Sequence, residues 1–171
     1  MKYYFFSVLT QLPLFLGLIK PILITPHDDI YFMKRALQEA QAAYDKSEIP
    51  IGAVIVADNQ IIARAHNLTQ TLNDVTAHAE MQAITAAANF LGGKYLHKCT
   101  LYVTIEPCQM CAGALFWSQI PTIVYGASDS QRGCIAMKTK LHPKTKISGG
   151  VLAKEAAGLL QQFFIEKRNL N

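Results

Sequence analysis

The sequence is poor in cysteine. Its four, Cys99, Cys108, Cys111 and Cys134, are too few and too unevenly spaced for the disulfide framework of a small secreted protein. A lone Cys-x-x-Cys points instead to metal or redox work in a reducing compartment. Internal repeats and low-complexity linkers are also missing, which argues against a solenoid or a string of tethered domains. Long apolar runs are rare. The one near the start, Tyr3 to Ile24 after Lys2, is interrupted by Gln11, Pro13, Lys20 and Pro21, and no Ala-x-Ala cleavage pattern follows it. These interruptions weigh against an export signal, and they leave open an upstream start codon or an extension packed on the domain surface. Residues 1–25 are therefore expected to be an apolar N-terminal extension, and residues 26–171 a single domain.

What is present supports one buried core, because 171 residues with 51% apolar content suffice for it. The formal charge of +4 is modest, but its distribution is uneven. Arg132, Lys138, Lys140, Lys144 and Lys146 occur with no acidic residue between the first and the last. Such a segment reads equally well as a solvated loop or as a contact for a polyanion.

Thr25-Pro26-His27-Asp28 reads as a helix start with Thr25 as cap and Asp28 at the capping-box position. Ile30, Met33, Leu37, Ala40 and Tyr44 then recur at helical spacing up to about Lys46. Ile51 to Ala57 and Gln60 to Ala65 are rich in β-branched residues and flank the turn pair Asp58-Asn59, so a hairpin is expected. Helices are expected over Thr76 to Leu91, ending at Gly92-Gly93, and over Cys108 to Ser118, with strands at Thr100 to Ile105 and Ile123 to Tyr125. Periodicity fades from Ser128 to Gly150. A last helix carries Ala156, Leu159, Leu160, Phe163 and Phe164, both phenylalanines reading as core by spacing. The alternation of strands and helices gives an α/β fold.

Two short motifs carry the chemistry. His78-Ala79-Glu80 and Pro107-Cys108-Gln109-Met110-Cys111 bring one imidazole and two thiols to the starts of two predicted helices. Two thiolates and one neutral imidazole suit a tetrahedral zinc ion with one position left for water, the arrangement of a catalytic rather than a structural site. Zinc lowers the pKa of such a water to about 7, and Glu80, two residues after His78, is placed to move the proton. Helix amino ends near the thiolates would stabilise their charge. Taken singly, the histidine reads as a cap or a core residue, and the cysteines as a redox pair or half a structural knuckle that Cys99 or Cys134 would complete. Taken together, His-x-Glu followed by Pro-Cys-x-x-Cys matches the signature of zinc deaminases that act on nucleobases.

From Asp28 to Arg168 the chain resembles the bacterial tRNA-specific adenosine deaminases of the cytidine deaminase-like superfamily. The resemblance is carried by Tyr31-Phe32-Met33, Ala36-Leu37, Ile49-Pro50-Ile51-Gly52-Ala53-Val54, Asn67 and Thr76-Ala77-His78-Ala79-Glu80. It continues through Leu101 to Cys108, Met110-Cys111-Ala112-Gly113-Ala114 and Val124-Tyr125-Gly126-Ala127. It implies a three-layer α/β/α fold whose central five-stranded mixed sheet has helices on both faces. It also implies one zinc ion per subunit, a homodimer, a cytoplasmic location, and conversion of adenosine to inosine at the wobble position of a tRNA anticodon stem-loop. By the same resemblance Asn67 would hydrogen-bond the base, Asp129 would meet the anticodon backbone and sugar, and Phe163, Phe164 and Arg168 would lie beside the RNA site. Ser128 and Gly133-Cys134-Ile135-Ala136-Met137 depart from the family pattern, and Phe116-Trp117 is similar to an aromatic pair of guanine deaminases. These departures keep two alternatives in view: a deaminase of free guanine or cytosine with the same zinc site, and a non-catalytic RNA-binding zinc module.

Overall fold

The computed structural model describes residues 27–169, so the expected extension over 1–25 lies outside the described residues. The chain runs α1 (Asp29–Asp45), β1 (Gly52–Ala57), β2 (Gln60–His66), α2 (Ala79–Leu91), β3 (Cys99–Ile105), α3 (Gln109–Ser118), β4 (Thr122–Ala127), β5 (Lys146–Ser148) and α4 (Ala153–Asn169). The strands form one five-stranded sheet in the order β2-β1-β3-β4-β5. β1 pairs antiparallel with both β2 and β3, whereas β3, β4 and β5 are parallel, so the sheet is mixed.

The β1–β2 hairpin forms where the sequence places it. Asp58 and Asn59 have φ of 48° and 60°, the left-handed pair that a two-residue turn needs to match the twist of its strands. Alternation along β1 then divides the core. Ala53 and Ile55 join Ala79, Ala83 and Ala87 of α2 and Leu115 of α3 on one face. Val54 and Val56 pack with Phe32, Met33 and Ala36 of α1 on the other, beside Ala156 and Leu160 of α4. The small alanines of α2 let that helix lie close on the sheet. The result is the expected three-layer α/β/α arrangement.

Most element boundaries fall within one or two residues of the sequence reading, and three features differ more. Helix α1 starts after Asp28, whose carboxylate accepts from the Tyr31 N–H at 2.8 Å, so Asp28 is the cap rather than a capping-box partner of Thr25. Helix α2 starts three residues later than expected, because Asp74 accepts from both the N–H and the hydroxyl of Thr76 at 2.7 Å and holds Asn73 to Ala77 in a turn. β5 supplies the fifth strand that the resemblance implies, at a place where the residue pattern shows none. Gly92 ends α2 in the left-handed conformation with φ 63°, as the sequence suggests. Among the described residues no helix is long and apolar enough to cross a membrane.

Candidate active site

The two metal-binding motifs sit at helix starts. His78 is the N-cap residue of α2 and Cys108 that of α3, both with extended backbone and neither with a side-chain cap bond. Their side chains turn instead toward each other. His78 Nδ1 lies 3.7 Å from Cys108 Sγ and 3.6 Å from Cys111 Sγ. Bond lengths of about 2.3 Å to sulfur and 2.0–2.1 Å to nitrogen at tetrahedral angles give an N to S separation of roughly 3.6 Å, which both observed nitrogen-to-sulfur distances match. All three donor atoms lie within 4.8 Å of one another, and among the described residues no fourth His, Cys, Asp or Glu joins them. Cys99 and Cys134, the candidates for closing a structural knuckle, are buried outside the donor cluster, Cys134 beside the Pro107-Cys108 turn, to which its N–H donates.

The three donors do not titrate alike. The hydrogen bond with Cys111 is the largest influence lowering the pKa of Cys108, outweighing burial, and with His78 it brings the thiol down to about 4. Cys111 moves the other way, since it shares its proton with Cys108 and is itself buried near Glu80. The hydrogen bond with Cys108 raises His78 in turn. Glu80 stands in the first turn of α2, 4% exposed and outside the three-donor cluster. Burial pushes its carboxyl up to about 7, with the Cys108 charge adding to the shift and the Glu80 backbone N–H, His78 and Cys111 opposing it.

These groups open into a cavity of about 720 Å³. Its lining includes Ile49, Ile51 and Asn67, the charged pair Asp129 and Arg132, and Leu160 and Phe164 of α4.

The family model for the cytidine and deoxycytidylate deaminase zinc-binding region matches residues 26–127, which takes in every one of these motifs. The chain belongs to this deaminase family. As a zinc-dependent deaminase it is a hydrolase acting on a carbon–nitrogen bond. This deaminase is 44% identical over 147 residues to a tRNA-specific adenosine deaminase of Bacillus subtilis, covering 82% of this chain and 91% of the relative. A solved structure from studies of A-to-I editing by tRNA:A34 deaminases at the wobble position superposes with a TM-score of 0.72 at 41% identity, over 75% of this chain and 98% of that one. A guanine deaminase of Bacillus subtilis gives 0.59 at 38% identity, over 68% and 72%.

The structure brings His78, Glu80, Cys108, Asn67 and Asp129 to one cavity, with Cys111 completing the donor set beneath it. Asp129 also organises its own loop, since its Oδ1 accepts from the N–H groups of Gln131 and Arg132 at 2.9 Å. Of the basic segment only Arg132 lines the cavity. Phe163 is core, as its spacing suggests, but Phe164 is 41% exposed and lines the cavity, about 100° round the helix from its neighbour. Phe116 and Trp117 do not line it, and Trp117 is 76% exposed.

Two supporting residues escaped the sequence reading. Glu48 and Glu106 are buried carboxylates. Glu106 accepts from the N–H of Ile135 at 2.7 Å and of Asp129 at 3.2 Å, which fastens the 129–135 loop to the end of β3. Their signal was an acidic residue directly beside an apolar strand, Glu48 before Ile49-Pro50-Ile51 and Glu106 after Ile105.

Proposed function

We propose that this chain deaminates adenosine to inosine at the wobble position of a tRNA anticodon stem-loop, consuming water and releasing ammonia. His78, Cys108 and Cys111 hold one zinc ion per subunit in this reading, and Glu80 is the catalytic acid and base. The observation that carries it is the placement of Glu80: a buried carboxyl two residues from one ligand, facing Cys111 yet outside the donor cluster. Zinc, when bound there, supplies a Lewis acid that makes a water nucleophilic near neutral pH. Glu80 would take one proton from the attacking water and pass it to the ring nitrogen of the base, then take the remaining hydroxyl proton of the tetrahedral adduct and give it to the amine, which leaves as ammonia as the carbonyl forms. Desolvation by the surrounding core keeps its affinity for a proton matched to both tasks. Asn67 contacts the base and Asp129 the sugar and backbone of the RNA.

The stem-loop is favoured over a free base by the higher structural similarity and fuller coverage of the tRNA:A34 deaminase. The aromatic pair that suggested guanine lies away from the cavity. We further propose one deaminase domain over residues 26–171, working in the cytoplasm as a homodimer. Val75 at the cavity mouth, 84% exposed, and Phe90 and Trp117 on α2 and α3 leave apolar surface for a second copy.

The test is ammonia release from an anticodon stem-loop against free guanine, cytosine and adenosine. Turnover of guanine with none on the RNA would sink the proposal. In Glu80→Ala, zinc and fold should survive while turnover falls at least about a hundredfold, the lower end of general acid–base contributions. Undiminished activity in that variant would remove Glu80 from the reaction.

A further inference from the structure

Glu48 lies between α1 and β1 with no solvent exposure, yet its carboxylate is fully engaged. It accepts from Asn67 Nδ2 at 3.0 Å, Thr69 Oγ1 at 3.3 Å, the N–H of Gln70 at 3.2 Å and the N–H of Thr71 at 2.7 Å. Burial pushes its pKa up, but the backbone N–H groups of Thr71 and Gln70 and the hydroxyls of Thr71 and Thr69 together hold it below the ordinary carboxylate range. It is therefore ionised at neutral pH, and an ionised carboxylate only accepts.

That fixes the orientation of its neighbour. The two ends of an asparagine amide have nearly the same shape and are told apart by their partners. Here the NH₂ end must face Glu48. One amide hydrogen goes to Glu48 and the other to Thr69 Oγ1 at 3.0 Å, so both donors are spent inside the protein. The backbone N–H of Asn67 is likewise used, by Ile51 O at 3.0 Å. The group left over is the carbonyl Oδ1, on a residue that lines the cavity with His78 and Glu80.

We infer that Glu48 is a positioning residue that locks the Asn67 amide with its carbonyl toward the cavity, so that the substrate must bring a hydrogen-bond donor, an amine or a hydroxyl, to that wall. The inference rests on the reading of the cavity as the substrate site. A buried acceptor of this kind discriminates strongly, because a ligand lacking the donor leaves it unpaired. Through Gln70 and Thr71 the same carboxylate also holds the wall that follows Asn67.

The experiment is a double-variant cycle on the zinc-loaded enzyme with Glu48→Gln, Asn67→Asp and the two combined. Asn67→Asp sets two carboxylates against each other, and Glu48→Gln frees the asparagine amide to flip. The pair re-forms the contact with donor and acceptor exchanged, since the introduced glutamine can donate its amide hydrogen to the introduced aspartate and leave an acceptor toward the cavity, at the cost of the Gln70 N–H that shared the same Glu48 oxygen. Each single change should raise KM on the stem-loop about tenfold to a hundredfold, the range of a hydrogen bond to a charged group, with a smaller effect on kcat. The combined variant should recover at least about tenfold over the product of the single losses. Single losses that merely multiply, in turnover and in urea unfolding alike, would overturn the inference. The unfolding cycle needs no substrate, so an inactive wild type would sink the proposed function and leave this arm decisive. If Asn67→Asp does not fold, the Asn67 side-chain amide protons are read by NMR. They should exchange slowly in wild type and fast in Glu48→Gln, and fast exchange in wild type would equally overturn the lock.

Discussion

Gly133→Ala tests how tightly the metal-bearing turn and the 129–135 loop are joined. A methyl group at Gly133 would meet the carbonyl oxygen of Asp129 at 2.4 Å, the Glu106 Cδ at 2.4 Å and its Oε1 at 2.5 Å. Ordinary Cβ contacts begin at 3.4 Å, so the loop must retreat by roughly 1 Å from a buried carboxylate that cannot move into solvent. The retreat strains the hydrogen bonds from the N–H groups of Ile135 and Asp129 to Glu106, each worth about 1.5–3 kcal/mol as a bond to a charged group. Partial loss of both, with the overpacking itself, predicts a destabilisation of about 2–4 kcal/mol. For a chain of this size that lowers the thermal midpoint by roughly 5–15 °C. Turnover should fall as well, because Asp129 and Arg132 of the same loop line the cavity. The assay is thermal unfolding of the zinc-loaded protein beside steady-state turnover. A variant with an unchanged midpoint and unchanged turnover would refute the claim that Gly133 is fixed by contact with Glu106.

Other outcomes follow from the site and its surroundings. His78→Ala should lose zinc along with activity, so stoichiometric metal by elemental analysis in that variant would contradict the ligand set. Neutralising Lys138, Lys140, Lys144 and Lys146 should weaken stem-loop binding and flatten the slope of log affinity against log salt by as much as roughly three, at about 0.7–0.9 per phosphate contact. Equal slopes would mean that the segment is only solvated. Glu48 has a folded pKa below its ordinary 4.5, so its contribution to stability is complete above that pH and is lost as pH falls through the folded value. Glu48→Gln should therefore lose less stability than wild type on acidification below about pH 4.5, and parallel acid-unfolding curves would contradict the ionised, hydrogen-bonded carboxylate.

The candidate zinc site and its carboxyl were legible in the sequence because their information is local: a spacing of two between His78 and Glu80, and of three between the thiols, survives without knowledge of the fold. The hairpin was legible for the same reason, since Asp58-Asn59 sets its own backbone. β5 was not. Three residues are too short for alternation to show, and Lys146 and Ser148 are exposed on a strand that pairs only with β4. Glu48 and Glu106 escaped for a different reason. Their roles depend on backbone N–H groups 22 to 29 residues away in the chain, and no pattern in sequence announces which loop will arrive at a carboxylate. Asp28 displaced Thr25 as cap because both residues suit that position, and the observed hydrogen bond to Tyr31 identifies the helix start.

Cys108 and Gly133 form an antiparallel bridge, and the N–H of Cys134 donates to the carbonyl of Pro107 at 2.8 Å. The backbone that presents a proposed metal ligand is thus also the backbone that anchors a loop lining the cavity. This shapes what evolution can do with the protein. An insertion or deletion within residues 129–135 would shift a ligand, so changes of recognition there must come by exchanging side chains at constant length. Beyond Thr139, whose N–H still donates to the Cys134 carbonyl, the chain is no longer tied to Cys108, but Leu141 packs on the core and His142 meets the Phe116 ring, so a gap there would cost stability rather than ligand position. A lineage adapting to a new polyanion would therefore change side chains at Gln131 and Arg132 before it changed length.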